Sequence, residues 1–269
     1  MYTRTKEILI SGPTIEPVSV EEAAKQCRAL DHNDDEYLAG LITTAREYLE
    51  QVCWSAFITQ TWQYWWDRYW WKMFLPRPPL RTYSTTLAAA VTSSTQTSIS
   101  IAAAGMLTNL TTPFSVTVAG ETMLVTTISG TTLTVTRGTG AMTYALGTAV
   151  TFNGVSWIKY VPPTGQPIAD PQSYLTLDGS IYEVSAQNQL PFLRLQYLRT
   201  WPITRGYRDD VTAQVVVGYG SDPGDVPMPI RQAIKLLVAH MYLVRGDEPP
   251  QEMPPAINHL IQNYRFKEQ

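Results

Sequence analysis

A long stretch near the middle of the chain carries almost no charge, and this limits what it can fold into. Between residues 84 and 153 the charged side chains are Glu121 and Arg137 alone. The remainder is rich in Thr, Ser, Ala, Gly and β-branched residues, as in 114–118 and 131–136. β-branched residues favour strands, and Gly-containing breaks at intervals of roughly 8–12 residues are turn signals. The stretch therefore predicts a small all-β module.

The sequence before this stretch predicts two helices. Ser19 and Glu22 have the spacing of a capping box and begin a helix over about 20–30. The acidic break at 31–35 then begins a second helix, because acidic side chains are favourable at a helix N-terminus. A calcium loop is disfavoured there, since the glycine and the distal glutamate of such a loop are missing. The second helix has one apolar stripe, formed by Leu38, Leu41, Ile42, Ala45, Leu49 and Val52.

The sequence after the stretch predicts short strands and two more helices. Prolines at 227 and 229 suit the first turn of a helix, and Gly246 is placed to end it. A final short helix is predicted over 255–264. We therefore expect an α+β fold, with a small helical bundle formed by both chain ends, an antiparallel β portion and an inserted all-β domain. Residues 1–81 and 154–269 would form one discontinuous core, and residues 82–153 the inserted domain.

The composition makes several classes of partner improbable. The 269 residues have a net charge of −3, which gives no basic surface for nucleic acid. No window holds the roughly 18 consecutive apolar residues of a membrane-spanning helix. Charged residues are 16% of the chain, below the usual quarter or so, which is typical of a protein partly covered by partner protein. Cys27 and Cys53 are expected to be packing residues, since free cysteine behaves as a small buried hydrophobe.

Enzymatic motifs are absent from the sequence. His32, His240 and His259 are far apart and do not have metal-binding spacing. Neither a nucleophile elbow nor a phosphate-binding loop occurs. Asp209 and Asp210 are neighbours, but successive strand residues point to opposite faces, so we expect a solvated strand start rather than an acid/base pair. We predict no catalytic residue, no metal and no cofactor.

Five tryptophans crowd into ten positions, and the sequence leaves their role open. They are Trp62, Trp65, Trp66, Trp70 and Trp71. Such a cluster is compatible with a strand packed on helices, with subunit-interface anchors, or with a platform on which sugars stack.

Several short motifs occur in a fixed order along the flanks. They lie at 17–23, 38–50, 60–62, 75–80, 201–202, 215–220, 226–234, 242–245 and 254–257. In that order they resemble the head–tail connector, or adaptor, proteins of tailed bacteriophages, the gp6-like and gp15-like family. Residues 82–153 depart from that pattern, and resemble a small β module of other phage virion proteins.

The resemblance implies a structural virion protein that is not an enzyme. Such adaptors assemble in the host bacterial cytoplasm into a ring, usually of twelve copies, in the neck of the virion beneath the portal protein. The ring extends the DNA channel without sequence-specific DNA binding and docks a neck, terminator or tail protein. The resemblance also places portal contact in the C-terminal segment, formed here by Tyr264, Arg265, Phe266, Lys267, Glu268 and Gln269.

Three alternatives stay open at this point. A receptor-binding or carbohydrate-binding virion protein could use the tryptophan cluster and the β module. A tail-completion or neck protein could occupy a different position in the same particle. A wall hydrolase is disfavoured by the missing catalytic residues.

Overall fold

The computed structural model describes residues 4–29, 33–138, 140–163, 174–185, 191–244 and 253–266. The chain divides into two compact units, each built from separate stretches of sequence. We call the first the sheet unit, formed by Met1–Ser11, Thr61–Leu75 and Leu80–Val216. We call the second the helical unit, formed by Gly12–Gln60, Pro76–Pro79 and Val217–Gln269.

Four α-helices of the described residues build the helical unit. They are α1 (Val20–Cys27), α2 (Asp35–Cys53), α3 (Met228–Leu243) and α4 (Pro255–Ile261). Their apolar stripes meet in one core, which includes Leu38, Ile42, Leu49, Ile230, Ile234, Leu237, Ile257 and Ile261. The capping box is confirmed, because the Ser19 hydroxyl accepts from the Glu22 N–H at 3.1 Å and the Glu22 carboxylate accepts from the Ser19 N–H at 3.1 Å.

Three helix ends differ from the sequence-based expectation or lie outside the described residues. α1 stops at Cys27, earlier than predicted, because Arg28 adopts a left-handed conformation with φ 59°. Asp34 precedes α2, but its side chain does not cap that helix. Its carboxylate instead accepts a hydrogen bond from the Tyr242 hydroxyl, an interaction between helices that local sequence does not reveal. Gly246, the predicted end of the third helix, lies outside the described residues.

A buried ion pair sets the geometry at the end of α2. Arg46 and Glu50 are one helical turn apart, with side chains 5% and 6% exposed and a separation of 2.9 Å. Glu50 also accepts from the Phe57 N–H at 2.7 Å and from the Gln60 amide at 2.8 Å. Glu16 accepts from Arg46 at 2.8 Å. Arg46 and Glu50 therefore form a structural clamp that fixes the chain leaving α2.

Fourteen short strands are present in the described residues. They are β1 (Arg4–Ser11), β2 (Gln60–Trp66), β3 (Met73–Phe74), β4 (Tyr83–Thr86), β5 (Ser98–Ser100), β6 (Phe114–Val118), β7 (Glu121–Ser129), β8 (Thr132–Thr136), β9 (Ala149–Phe152), β10 (Val155–Tyr160), β11 (Leu175–Thr176), β12 (Tyr182–Ser185), β13 (Phe192–Leu195) and β14 (Val211–Val217). They form a five-stranded sheet in the order β1-β2-β14-β10-β11 and a three-stranded sheet in the order β12-β13-β3. The remaining six strands form a third sheet, in the order β4-β9-β6-β7-β8-β5.

All six strands of the six-stranded sheet lie within residues 82–153. Alternate residues of β6 face its core, as in Phe114, Val116 and Val118, which are buried while their neighbours are partly exposed. The sharp turn before β7 uses positive φ at Ala119 and Gly120, the geometry that suits a tight hairpin. One buried member of this core, Val216 of β14, comes from outside the stretch.

β10 is more deeply buried than its sequence indicates. Residues 155–161 alternate like a strand with one exposed face, but Val155, Ser156, Trp157 and Ile158 are all buried. The strand lies between β14 and β11, and it also contacts β6. The described part of the chain contains no helix that combines the length and hydrophobicity needed to cross a bilayer. The α+β fold class is confirmed.

Candidate interaction surface

The five clustered tryptophans do not share one exposed face. Trp62, Trp65 and Trp66 lie on β2, where Trp66 is 4% exposed and the other two are partly exposed. Trp70 is also partly exposed, while Trp71 is 71% exposed. Among the five, Trp71 is thus the residue with most of its surface available to a partner.

Two loops of the sheet unit, residues 67–72 and 196–210, lie against each other. The rings of Tyr69 and Trp201 stack with centroids 4.5 Å apart and planes 4° from parallel. The Trp201 indole N–H donates to the Trp70 carbonyl at 3.1 Å. Burial raises the pKa of the Tyr69 hydroxyl well above its usual range. These contacts join the two loops into a single surface.

A buried carboxylate holds the second loop, and it overturns one prediction. Asp210 was expected at a solvated strand start, but it is fully buried. It accepts from the Arg205 guanidinium at 2.9 and 3.1 Å and from the Tyr207 N–H at 2.9 Å. A buried charge requires such partners, since an unpaired carboxylate would be strongly disfavoured. The neighbouring Asp209 N–H donates to the Asp67 carboxylate at 3.3 Å, which ties the loop to residues 67–72.

The two loops expose an unusual amount of large apolar side chain. Tyr197, Leu198, Ile203 and Tyr207 are 91%, 86%, 78% and 66% exposed, and Trp71 adds a fifth exposed side chain. We call these five residues the apolar surface. Sequence reasoning found Trp71 and missed the other four, because the segment lacks the periodicity of a helix or strand. The sequence signal that could have revealed them is the presence of several large apolar residues between β13 and β14, in a segment that forms neither a helix nor a strand.

Cations border the apolar surface. The Arg68 guanidinium lies 4.7 Å from the centroid of the Trp70 ring, and the Lys72 ammonium lies 4.6 Å from that of Trp71. Arg205 lies 5.1 Å from the Tyr207 ring. Such cation–aromatic contacts stabilise ring orientation by about 0.5–1 kcal/mol at exposed sites. The two loops therefore present cations together with the exposed apolar side chains.

The predicted portal-contact segment is only partly described. Tyr264 lies in a 3₁₀ turn and packs against the core of the helical unit. Arg265 donates to the Asn258 side chain at 2.6 Å, and the Phe266 N–H donates to the Cys53 carbonyl at 3.0 Å. These bonds fasten the segment to α4 and to the end of α2. Lys267, Glu268 and Gln269 lie outside the described residues.

The two charged residues of the six-stranded sheet pair with each other. Arg137 donates to both carboxylate oxygens of Glu121, at 2.6 and 2.7 Å, and the Tyr144 hydroxyl donates to one of them at 2.7 Å. Burial acts to raise the pKa of Glu121, but these donors outweigh it and the pKa lies below its ordinary value. A cleft of about 270 Å³ lies beside the pair, lined also by Asp178 and Arg199. Because Glu121 is already neutralised, we interpret the pair as structural.

Side chains suited to metal binding are scattered. Within the described residues, no group of His, Cys, Asp and Glu side chains comes together in a way that could hold a metal ion. His259 is exposed and His240 is partly exposed, while His32 lies outside the described part of the chain.

Comparisons with known proteins give structural matches alone. No protein-family model and no curated protein matches the chain. A chain of the virion of a native gene transfer agent particle superposes with a TM-score of 0.56 at 14% identity, over 98% of this chain and 97% of that one. A chain of the neck of an empty gene transfer agent particle, computed with C6 symmetry, gives a TM-score of 0.55 at 15% identity, over 97% of both chains. The protein shares the fold of these particle components over nearly its whole length.

Proposed function

We propose that this protein is a structural component of the neck of a phage-like particle. The observation that carries the proposal is the fold likeness, which extends over at least 97% of this chain and of each particle chain. Agreement over the whole chain includes the β module as well as the flanks, so the similarity is not confined to a common small motif. Fold alone does not determine function, and the ordered sequence motifs and the exposed apolar side chains provide further support.

More narrowly, the protein would be a head–tail connector that forms a ring beneath the portal and docks tail components. The ordered motifs at 17–80 and 201–257 resemble that family. The exposed apolar surface supports it too, because several large apolar side chains exposed on adjoining loops favour a contact with another protein. In this proposal residues 1–81 and 154–269 form the connector core, and residues 82–153 are the inserted domain.

The charge of the protein suits a DNA channel. With a net charge of −3 the chain would not hold the phosphates of DNA passing through the ring. We therefore expect the DNA to pass without sequence-specific binding, and the particle partners to be other copies, the portal and a tail-side protein.

The test is co-expression with the portal protein of the same particle, followed by electron microscopy of the purified complex. We expect a ring of this protein on one face of the portal, with twelve copies as is usual for such adaptors. A portal preparation that carries no bound copies would contradict the connector role. A ring seen elsewhere in the neck would instead support the alternative of a tail-completion protein.

The portal contact has its own test. Replacing Lys267, Glu268 and Gln269 by alanine should weaken portal binding, while leaving the bond between Phe266 and Cys53 intact. A matched control is a second triple-alanine variant in the β module, at three exposed polar positions, Thr92, Ser94 and Thr95. Equal portal binding by both variants would remove the C-terminal segment from the proposal.

The glycan-binding alternative is less well supported. A sugar-binding platform needs exposed, flat aromatic rings, and of the five clustered tryptophans Trp71 alone has most of its surface exposed. Binding of the full-length protein to a glycan array, lost on Trp71→Ala, would favour this alternative over the connector.

A further inference from the structure

The two units of the chain carry net charges of opposite sign. The sheet unit has eleven Lys and Arg residues against eight Asp and Glu, a net charge of +3. The helical unit has nine against fifteen, a net charge of −6. Two copies of such a chain attract each other when the sheet unit of one approaches the helical unit of the next, and repel when like units meet. The charge distribution thus favours a head-to-tail contact.

The apolar surface belongs to the positively charged unit. The two loops also carry Arg68, Arg199 and Arg208, all exposed. Large apolar side chains accompanied by arginine are typical of a protein–protein contact. The loop at 196–210 is held by the buried Asp210 carboxylate and the partly exposed Arg205 guanidinium, so less conformational entropy would be lost on binding.

The helical unit offers a matching face on α2. Tyr37 and Tyr48 are 42% and 45% exposed, and Glu36 and Glu47 beside them are also exposed. Tyr37 and Tyr48 are separated by about three turns of the α-helix, and so are Glu36 and Glu47. The four side chains therefore lie along one side of α2. We call these four residues the acidic stripe. The Glu36 carboxylate complements the arginines of the two loops, and the tyrosines supply apolar contact area. Glu47 adds negative charge, although it also accepts from Arg46 of its own helix at 3.3 Å.

We propose that the apolar surface of one copy packs against the acidic stripe of a second copy. The proposal rests on the proposed neck function, where copies are held side by side. A contact between two different faces can repeat from copy to copy and close into a ring, whereas a contact between identical faces stops at a dimer. A second copy is a better occupant than nucleic acid, because Leu198 and Ile203 provide aliphatic area that stacking bases do not require.

The central experiment measures self-association of the full chain by sedimentation and small-angle scattering. We expect association that strengthens with concentration, and at least a tenfold weakening by Leu198→Glu, because a charge would enter the apolar centre. Leu146→Glu is the matched control, since Leu146 is also an exposed leucine of the sheet unit, 66% against 86%, but lies outside the two loops. Equal weakening by both variants, or by neither, would overturn the assignment of this surface.

Charge complementarity is tested separately. Association should weaken as NaCl rises from about 50 to 500 mM, because salt screens exposed charges. Arg208→Glu and Glu36→Lys should each weaken it, and the variant with both changes should recover part of the loss. A wild-type protein that stays monomeric up to about 1 mM, the effective concentration of tethered neighbours, would count against the proposal.

Two further outcomes separate this inference from the proposed function. If Leu198→Glu still forms a complete ring on the portal, the surface assignment fails and the connector role stands. If the wild type never binds the portal, the connector role fails whatever the variants do. Binding of single-stranded DNA that Leu198→Glu abolishes would make the surface a nucleic-acid contact and overturn the proposal.

Discussion

At the scale of single residues, the ion pair between Glu121 and Arg137 makes the strongest stability prediction. Both side chains are almost fully buried, 3% and 6% exposed. Glu121→Gln removes the negative charge and leaves the Arg137 guanidinium buried without its counterion. Removing one partner of a buried pair costs about 3–5 kcal/mol, and we expect about 3 here because glutamine keeps one acceptor. Urea denaturation of both proteins at pH 7 measures the difference.

An exposed ion pair provides the control for this prediction, and the lowered pKa of Glu121 sets its pH dependence. Glu183→Gln breaks an exposed pair with Arg194 and should cost less than about 1 kcal/mol. Because the pKa of Glu121 is lowered in the folded protein, its stabilisation is complete above the unfolded pKa of about 4.3 and is lost as the pH falls through the folded pKa. The gap between wild type and Glu121→Gln should therefore shrink below about pH 4. A gap that grows there would contradict this assignment.

The two cysteines should react at very different rates. Burial raises the pKa of the Cys53 thiol to about 11, with nearby Arg265 opposing and Glu50 reinforcing the shift. Cys27 is only partly buried, although burial raises its pKa as well. Since the thiolate is the reactive form, a disulfide reagent at pH 8 should modify Cys27 first, and Cys53 only on unfolding. Equal rates in the native protein would show that the end of α2 opens readily.

At the scale of elements, two glycines of the helical unit should respond oppositely to alanine. Gly40 lies inside α2, and a Cβ placed there would meet nothing within 4 Å. Gly40→Ala should therefore raise the free energy of unfolding by about 0.5–1 kcal/mol. Gly218 has φ 114°, and a Cβ would lie 2.5 Å from the Ile58 carbonyl oxygen. Gly218→Ala should lower stability by more than Gly40→Ala raises it, and thermal unfolding of both variants compares them directly.

The elements also show where sequence reasoning succeeds. The starts of α1, α3 and α4 were predicted because a capping box or a proline is a local signal that acts within one turn. The strands of the six-stranded sheet were predictable in kind because alternation is local as well. Their order was not, since pairing of β4 with β9 joins residues far apart in the sequence.

Contacts over long sequence separations explain what the sequence did not reveal. Asp34 lies in the acidic break that was expected to favour the start of α2, but its carboxylate accepts a hydrogen bond from Tyr242 of another helix. Asp210 appeared solvated, and its burial depends on the fold of the loop at 205–207 as well as on the sheet. Four of the five residues of the apolar surface were missed because an exposed hydrophobic side chain has no partner in the chain that its spacing could indicate. The candidate surface became visible once burial was known.

At the scale of the whole molecule, the side chains that hold each unit together differ from those of the proposed contact between copies. The buried pair of Arg46 and Glu50 and the partly exposed pair of Arg205 and Asp210 fix chain segments inside each unit. The exposed apolar and acidic side chains contribute little to either core. A protein that functions between copies needs both features, because its contact surfaces must be stable before the partner arrives.

The low-charge stretch gives the last prediction, that a fragment of residues 82–153 folds by itself. Its six strands pair among themselves, with backbone bonds from β4 through to β5. Its buried ion pair is internal, because Glu121 and Arg137 both lie within the fragment. The core loses one side chain, Val216, which reduces stability by about 1.5–3 kcal/mol. That loss is smaller than the roughly 5–15 kcal/mol typical of a folded domain.

We therefore expect the fragment to show a β-type circular dichroism spectrum and one cooperative urea transition. The fragment has a net charge of zero, so the measurement belongs at low micromolar concentration, where association is slow. The Glu121→Gln fragment is the control, and it should unfold at lower urea because the pair lies inside the fragment. A disordered wild-type fragment would mean that the stretch depends on β14 and β10 for its structure, and that residues 82–153 are not an inserted domain that folds independently of the rest of the sheet unit.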